Sequence, residues 1–289
     1  MPETLREYKS VEAAGKWAGR AGAGKPLNVT DRDTRFADWV AALEARHLQD
    51  FTFPEVARAL RALSSTYVER RHTLSEGGAL ATAGKRAAFA LFYGPLHYLL
   101  IAHLAGRLPG ATTGHAALID LGCGTGASGA AWAAACAGSP RVVGVDRNRW
   151  ALGEAAATYR AFGISARTRH ADVAKALPPN PAPGAVLAAF TVNELSDATR
   201  AALLPRLIDR ARRGDRVLVV EPIAGSVARW WDRWRQEFER AGGRGDEWRF
   251  RPELPGIVAK LDRAAGLDHR EITGRSLWIG GLRHGEAAG

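Results

Sequence analysis

The segment Leu118-Ile119-Asp120-Leu121-Gly122-Cys123-Gly124-Thr125-Gly126 sets an acid and three alternating glycines directly after a run of apolar residues. A strand that opens into such a turn is built for a nucleotide-like ligand. Glycine reaches backbone conformations closed to other residues, and its missing side chain lets a ligand lie against the main chain. The helix that should follow, from about Ala127 to Ala137, points the positive end of its dipole at whatever is held. Gly122-x-Gly124-x-x-Ala127 also fits the loose dinucleotide fingerprint, and Asp146 lies about twenty residues on, where that fingerprint wants a ribose-binding acid. Spacing alone therefore leaves two ligand classes open.

The elements that must position these groups follow from hydrophobic periodicity. After Gly114, short apolar runs alternate with helical stretches, the pattern of a parallel sheet with crossover helices. Strands are expected at Ala116–Leu121, Arg141–Val145, Ala166–His170, Ala185–Thr191 and Arg216–Val220, with helices near Ala127, Trp150 and Asp197. Two further strands, Leu267–Ile272 and Ser276–Gly280, are expected as an antiparallel hairpin about Thr273-Gly274-Arg275. The fold class is α/β: a Rossmann-like, doubly wound, mostly parallel seven-stranded sheet with a C-terminal antiparallel hairpin. A helical N-terminal region precedes it.

Ligands of open α/β sheets bind at the carboxyl ends of the strands, and each end here delivers polar groups. Strand one gives Asp120 and the glycine turn, strand two Asp146 and Arg147, and strand three Asp172 and Val173. Strand four ends in Phe190-Thr191-Val192-Asn193-Glu194, and strand five in Val220-Glu221-Pro222. Asp146 alternatively reads as a helix N-cap, and so do Asp172, Ser196 and Asp197. Glu194 is a candidate proton acceptor and Asn193 a candidate orienting group.

The whole first string resembles motif I of the class I S-adenosylmethionine-dependent methyltransferases. The resemblance spans about 116–282. It implies S-adenosylmethionine as cofactor, with Asp120 helping to hold its methionine end and Gly122, Cys123, Gly124, Thr125 and Gly126 forming the cradle. It further implies Asp146 on the ribose hydroxyls, Arg147 at a position usually apolar against the adenine, Asp172 on the adenine amino group with the Val173 amide beside the ring, and Thr191 at the strand that faces the methyl. The Asn/Asp-Pro-Pro-Tyr/Phe signature of amino methyltransferases acting on adenine or glutamine is absent. Asn193-Glu194-Leu195 and Val220-Glu221-Pro222 also resemble the ribosomal small-subunit methyltransferase-like family. This chain departs from that family in having Thr125 where a proline is usual, and in lacking the cysteine cluster of the mitochondrial members.

These readings imply methyl transfer to an oxygen or nitrogen nucleophile on a small molecule or an RNA, the alternatives being a ribosome-associated methyltransferase or a non-catalytic cofactor-binding assembly factor. The formal net charge of +10 permits attraction to RNA, although the basic residues are dispersed and mixed with acids, and a GC-rich genome would produce the same Ala-Gly-Arg bias. Two cysteines, Cys123 and Cys136, are too few for a disulfide framework or thiolate cluster, so a reducing cytoplasm is expected, with no metal.

Residues 1–30 read as a flexible arm, 31–112 as a helical lid or substrate region, and 113–289 as the cofactor domain with an insertion at about 223–250. In the helical region, helices are expected at Thr34–His47, Phe53–Arg71 and Lys85–Leu108, with a loop at Thr73–Gly84. Ala87–Ala105 is the most apolar stretch, and Gly94-Pro95 marks it as a buried, broken helix rather than a membrane span. That break would place Tyr93 on substrate and His97 as a base, with His103 a further candidate, although a histidine on an apolar helix is commonly a core residue. In the 223–250 segment, Trp230, Trp231 and Trp234, interleaved with Arg229, Arg233 and Arg235, are candidates for stacking on a substrate. The competing reading is a core-facing aromatic stripe.

Overall fold

The computed structural model describes residues 29–69, 80–173, 177, 184–223 and 229–280. The expected arm and most of the 73–84 loop therefore lie outside the described residues.

Seven strands form one sheet in the order β3-β2-β1-β4-β5-β7-β6. Strands β1 (Ala117–Leu121), β2 (Arg141–Asp146), β3 (Ala166–His170), β4 (Gly184–Ala189) and β5 (Arg216–Glu221) run parallel, within a residue or two of their expected bounds. The chain leaves β1 for β2 on one side and returns to β4 on the other. This reversal between β1 and β4 opens the crevice in which α/β sheets hold ligands.

Both faces of the sheet are buried, which is why β1, β4 and β5 are apolar almost throughout. Leu118, Leu187 and Leu218 point to one face and Ile119, Val186 and Val217 to the other, as the period of two requires. The first face is covered by α4 (Gly94–Ala105), α5 (Ala127–Ala135) and α6 (Arg149–Ala161), with α1 (Val29–His47), α2 (Phe53–Glu69) and α9 (Gly256–Ala265) outside or beside them. The second is covered by α7 (Asp197–Arg212) and α8 (Arg229–Arg240).

Three expectations are corrected. The hairpin about Thr273-Gly274-Arg275 does not form: β7 (Ile272–Ile279) runs unbroken, antiparallel to both β5 and β6. Gly274 serves packing rather than a turn, since a Cβ there would lie 2.8 Å from Leu100 Cδ2 of α4. The sixth strand is Arg244–Phe250, inside the supposed insertion. It is an edge strand, and its charged residues, including the Arg244–Asp246 ion pair, are the composition that keeps an edge from pairing with other chains. The described part of 223–250 is thus a regular helix and strand of the sheet.

The third correction concerns Gly94-Pro95. The chain stays helical from Ala83 to Ala105, with a π-helical turn at Phe89–Tyr93 between α3 (Ala83–Ala88) and α4. Proline brings no N–H to the helix, and the wider turn absorbs the mismatch: Gly94 N–H bonds Phe89 O, five residues back. Among the described residues this is the one helix long and apolar enough to cross a membrane, and most of it is buried in the fold.

Candidate functional site

A cleft of about 1180 Å³ lies over the carboxyl ends of the strands, roofed by the π turn and α4. Its floor is the glycine turn, where the three glycines answer to three separate demands. Each has a positive φ, +65° at Gly122, +51° at Gly124 and +77° at Gly126, which a side chain would strain. A Cβ on Gly122 would meet Thr191 Oγ1 at 2.3 Å, and one on Gly126 would meet Ala155 Cα of α6 at 2.9 Å. Those two glycines are filled by protein. At Gly124 nothing lies within 4 Å of the added carbon, so this glycine faces open cleft.

Asp146, at the tip of β2, accepts the Gly124 N–H at 2.9 Å through one oxygen and the Asn148 N–H at 2.7 Å through the other. It lines the cleft and is half-buried. The N-cap of α6 is Asn148, whose Oδ1 accepts from Trp150 and Ala151 N–H at 3.0 and 3.2 Å. Asp146 is thereby released from capping, and each oxygen keeps a lone pair for a hydroxyl. Arg147 and Asp172, both exposed, and buried Val173 line the same end.

Asp120 is placed differently from expectation. It does not line the cleft; it is buried beneath the turn, where Tyr159 Oη donates to Oδ2 at 3.1 Å and Gly129 packs so closely that a Cβ would sit 2.4 Å away. Burial pushes its carboxyl up to about 7, against the lowering effect of the Tyr159 and Gly129 bonds. Its task in this geometry is to tie β1, α5 and α6 together under the glycines. Cys123 and Thr125 are buried within the turn and reach the cleft at its floor.

The far end of the cleft is built on β4 and β5. Thr191 Oγ1 lies within bonding distance of the Leu121, Gly122 and Ala189 carbonyls, at 3.1, 3.3 and 3.1 Å, locking the β4 tip to the glycine turn. Phe190 before it has φ +58°, an uncommon conformation for an aromatic residue, and stacks on His97 of α4 with ring centroids 3.8 Å apart. Burial lowers the His97 imidazole to about 3, so it stays neutral at ordinary pH and is a weak base. Tyr93 also lines this end, its phenol raised by burial.

Asn193 is engaged on both sides of its amide. Nδ2 donates to Glu221 Oε2 at 2.7 Å, and Oδ1 accepts from Trp230 Nε1 at 3.1 Å. Glu221 also accepts the Asn193 backbone N–H at 3.0 Å. With its amide so occupied, Asn193 is a positioning residue. Glu194 beside it lines the cleft, raised by burial to about 7. Glu221 is fully buried at the cleft wall and raised to about 8, first by burial, with Glu194 adding to it. Sequence reasoning quoted Glu221 and left it out of the site, although an acid closing an apolar strand is the signal that singled out Asp120 and Asp146.

The tryptophans do not reach the cleft. Trp231 and Trp234 lie in the core of the second face, with the Arg275 guanidinium 4.1 Å above the Trp231 ring, and Trp230 supports Asn193 from behind. The competing reading of that stripe, as core, is what the structure shows. His103 stacks on Phe250 at 3.8 Å and does not line the cleft.

Residues 118–214 match the family model described as a methyltransferase domain. That match covers the glycine turn and the first strands of the sheet, and it supports for this segment the resemblance to the class I S-adenosylmethionine-dependent methyltransferases. No curated protein matches it in sequence. Among solved structures it is similar to precorrin-6y C5,15-methyltransferase from Geobacter metallireducens GS-15, at 12% identity over 63% of this chain and 85% of that one, TM-score 0.42. It is also similar to magnesium protoporphyrin IX methyltransferase from Synechocystis PCC 6803 with bound SAM, at 15% identity over 76% and 95% of the chains, TM-score 0.41. A third is an O-methyltransferase from neocarzinostatin biosynthesis in complex with SAM and 2-hydroxy-5-methyl naphthoic acid, at 15% identity over 76% and 70%, TM-score 0.44.

Proposed function

We propose that this protein transfers the methyl group of S-adenosylmethionine to an oxygen or nitrogen nucleophile on a small molecule with an apolar or aromatic body. The observation that carries the cofactor half is the join between Gly124 and Asp146: an open glycine whose N–H is held by an acid at the tip of the neighbouring strand. Asp146 would take the ribose hydroxyls, Asp172 and the Val173 amide the adenine, and the backbone of 122–126 the remainder. Asp146 and Asp172 line the cleft, so acids are gathered there within a basic protein, which suits a cationic sulfonium ligand. When bound, that cofactor supplies an activated methyl group with a neutral leaving group. The chain's own residues then have to align the acceptor, exclude water and hold its proton.

The acceptor half rests on the cleft wall opposite the glycine turn, where Phe89, Tyr93, Leu96, Leu100, Phe190 and Ile272 offer apolar and aromatic surface. A second reading, an RNA base as acceptor, is favoured by Arg86, Arg147 and Arg149 at the same cleft and by the net charge. Methyl-labelled S-adenosylmethionine, incubated with the protein and a lysate separated into RNA, protein and small molecules, tests both readings. Label in a new small molecule supports the first, label in RNA the second, label in protein contradicts both readings of the acceptor, and label in none of the three contradicts methyl transfer.

A further inference from the structure

We propose that His269, oriented by Asp262, is the group that takes the proton from a hydroxyl acceptor in this cleft. The proposal deepens the methyl-transfer reading and rests on it. Asp262, near the end of α9, is buried, 4% exposed, and its carboxylate is spent entirely on His269 among the described residues. Oδ2 accepts the His269 backbone N–H at 2.9 Å, and Oδ1 lies 2.7 Å from the ring Nδ1. A third contact fixes the ring plane: Phe92 of the π turn meets it edge-on, centroids 5.1 Å apart. The ring is thereby held in position with its side chain 32% exposed, and the residue lines the cleft.

This arrangement dictates a tautomer. A carboxylate accepts only, so Nδ1 carries the hydrogen and Nε2 presents its lone pair. No described residue bonds Nε2. A buried acid orienting a histidine, with no described residue on its second nitrogen, is the geometry of a general base, because the acid fixes the tautomer in which Nε2 is left to accept a proton. The step balances without a co-reactant: the acceptor O–H bond breaks, an Nε2–H bond forms, and the electron pair stays on oxygen as the nucleophile. The proton later passes to water across the exposed edge of the ring.

Two other polar groups of the cleft suit this work less well. His97 is a weak base under Phe190, and Asn193 is occupied. The charges around His269 are Asp262 from α9, the Asp268–Arg270 pair that flanks it, and Glu271, which lies near Arg249 and Arg251 of β6 and the loop after it. The two acids nearest the ring in sequence are ion-paired with arginines, Asp268 with Arg270 and Glu271 with Arg249 and Arg251, and among the described residues Asp262 is the acid that bonds the ring. A hydroxyl on an apolar body matches both the base and the wall of Leu96, Leu100 and Ile272 that lines the cleft with it.

p-Nitrophenol is a suitable probe, because its ionised form absorbs at a wavelength where the neutral phenol does not. The wild-type protein, saturated with S-adenosylhomocysteine, should bind it and raise the ionised fraction at least several-fold over free probe, measured at a pH at least one unit below the pKa of the free phenol. His269→Gln should bind the probe without that rise, and Asp262→Asn should show a smaller rise than wild type. Equal ionisation by wild type and His269→Gln overturns the proposal, as does failure of the wild type to bind the phenol. S-adenosylhomocysteine binding, measured on the same samples, separates this from the cofactor reading, since its loss in the wild type would sink that reading instead. Should the variants fail to fold, nitrogen-15 spectra of the wild-type histidines decide. An Nδ1-protonated His269 whose Nε2 resonance moves on adding the phenol is expected, and an Nε2-protonated ring would overturn the proposal.

Discussion

Replacing Gly124 and Gly126 by alanine, one at a time, separates a glycine kept for a ligand from a glycine kept for packing. Both have positive φ, so each alanine carries a backbone cost of about 1–2 kcal/mol. At Gly124 the cost ends there, because the new methyl meets nothing within 4 Å. At Gly126 the methyl would stand 2.9 Å from Ala155 Cα and 3.1 Å from Tyr159 Cζ, so α5 and α6 must move apart. Overpacking of that kind costs about 1–3 kcal/mol more. One kcal/mol moves the melting temperature of a chain of this size by roughly 2–4 °C. Gly126→Ala should therefore melt several degrees below Gly124→Ala in the absence of ligand. Binding should rank the other way: the Gly124 methyl occupies cleft that the cofactor needs, and S-adenosylhomocysteine affinity should drop by about tenfold or more, about 1.4 kcal/mol. Melting curves and titration calorimetry on the two variants suffice. Equal melting temperatures, or a Gly124→Ala variant that binds like wild type, would refute the division of roles.

The buried acids and histidines make a second prediction about pH. Asp120, Glu194 and Glu221 have carboxyls raised to about 7, 7 and 8, so the folded state holds protons that the unfolded state releases. That contribution is complete below their ordinary values and is lost as pH rises through 7 and 8. His97, His103 and His115 are lowered to about 3, 4 and 4, which opposes this trend only below their ordinary value of 6.5. Above that value the carboxylates act alone, and stability to urea should fall from pH 6.5 to 8.5; a flat or rising profile would show that the three acids are not desolvated as described. A third prediction concerns the tryptophan stripe: Trp234→Ala, deleting a side chain 2% exposed, should cost about 3–5 kcal/mol of stability while the folded fraction keeps its S-adenosylhomocysteine affinity. A fold-scale loss of affinity in that folded fraction would return Trp234 to the binding site.

The sheet was legible because strands buried on both faces write themselves as uninterrupted apolar runs, and each of the first five was found within a residue or two. The last two were not. Strand β6 reads Arg244-Gly245-Asp246-Glu247-Trp248-Arg249-Phe250, and an edge strand's charges conceal the period of two that a half-buried strand shows. In β7, Gly274 and its neighbours read as a turn because the reason for the glycine, Leu100 lying against its backbone, is about 170 residues away in the chain.

The same division runs through the site. Gly124, Asp146, Arg147, Asp172, Thr191 and Glu194 could be located from strand ends alone, since topology sends every parallel strand tip to one cleft. Asp120 was misplaced because nothing local announces that Tyr159 and Gly129 enclose it. The three tryptophans were overread for a related reason: helical spacing of aromatics marks a face, and only packing decides whether that face meets core or cleft. The Asp262–His269 pair was not seen, since it joins a helix end to a loop through a contact that no motif spells.

The central claim is that the cleft over Gly124 and Asp146 is an S-adenosylmethionine site. Titration calorimetry of the wild-type protein and Asp146→Ala with S-adenosylhomocysteine, and of the wild type with NAD, tests it most directly. The account predicts one S-adenosylhomocysteine per chain, much weaker binding of NAD, and at least about a tenfold loss of S-adenosylhomocysteine affinity in the variant, because the carboxylate that accepts from two backbone amides of the turn, and that the account sets against the ribose, is removed. Preference for NAD, or a variant that binds as tightly as the parent, would contradict it.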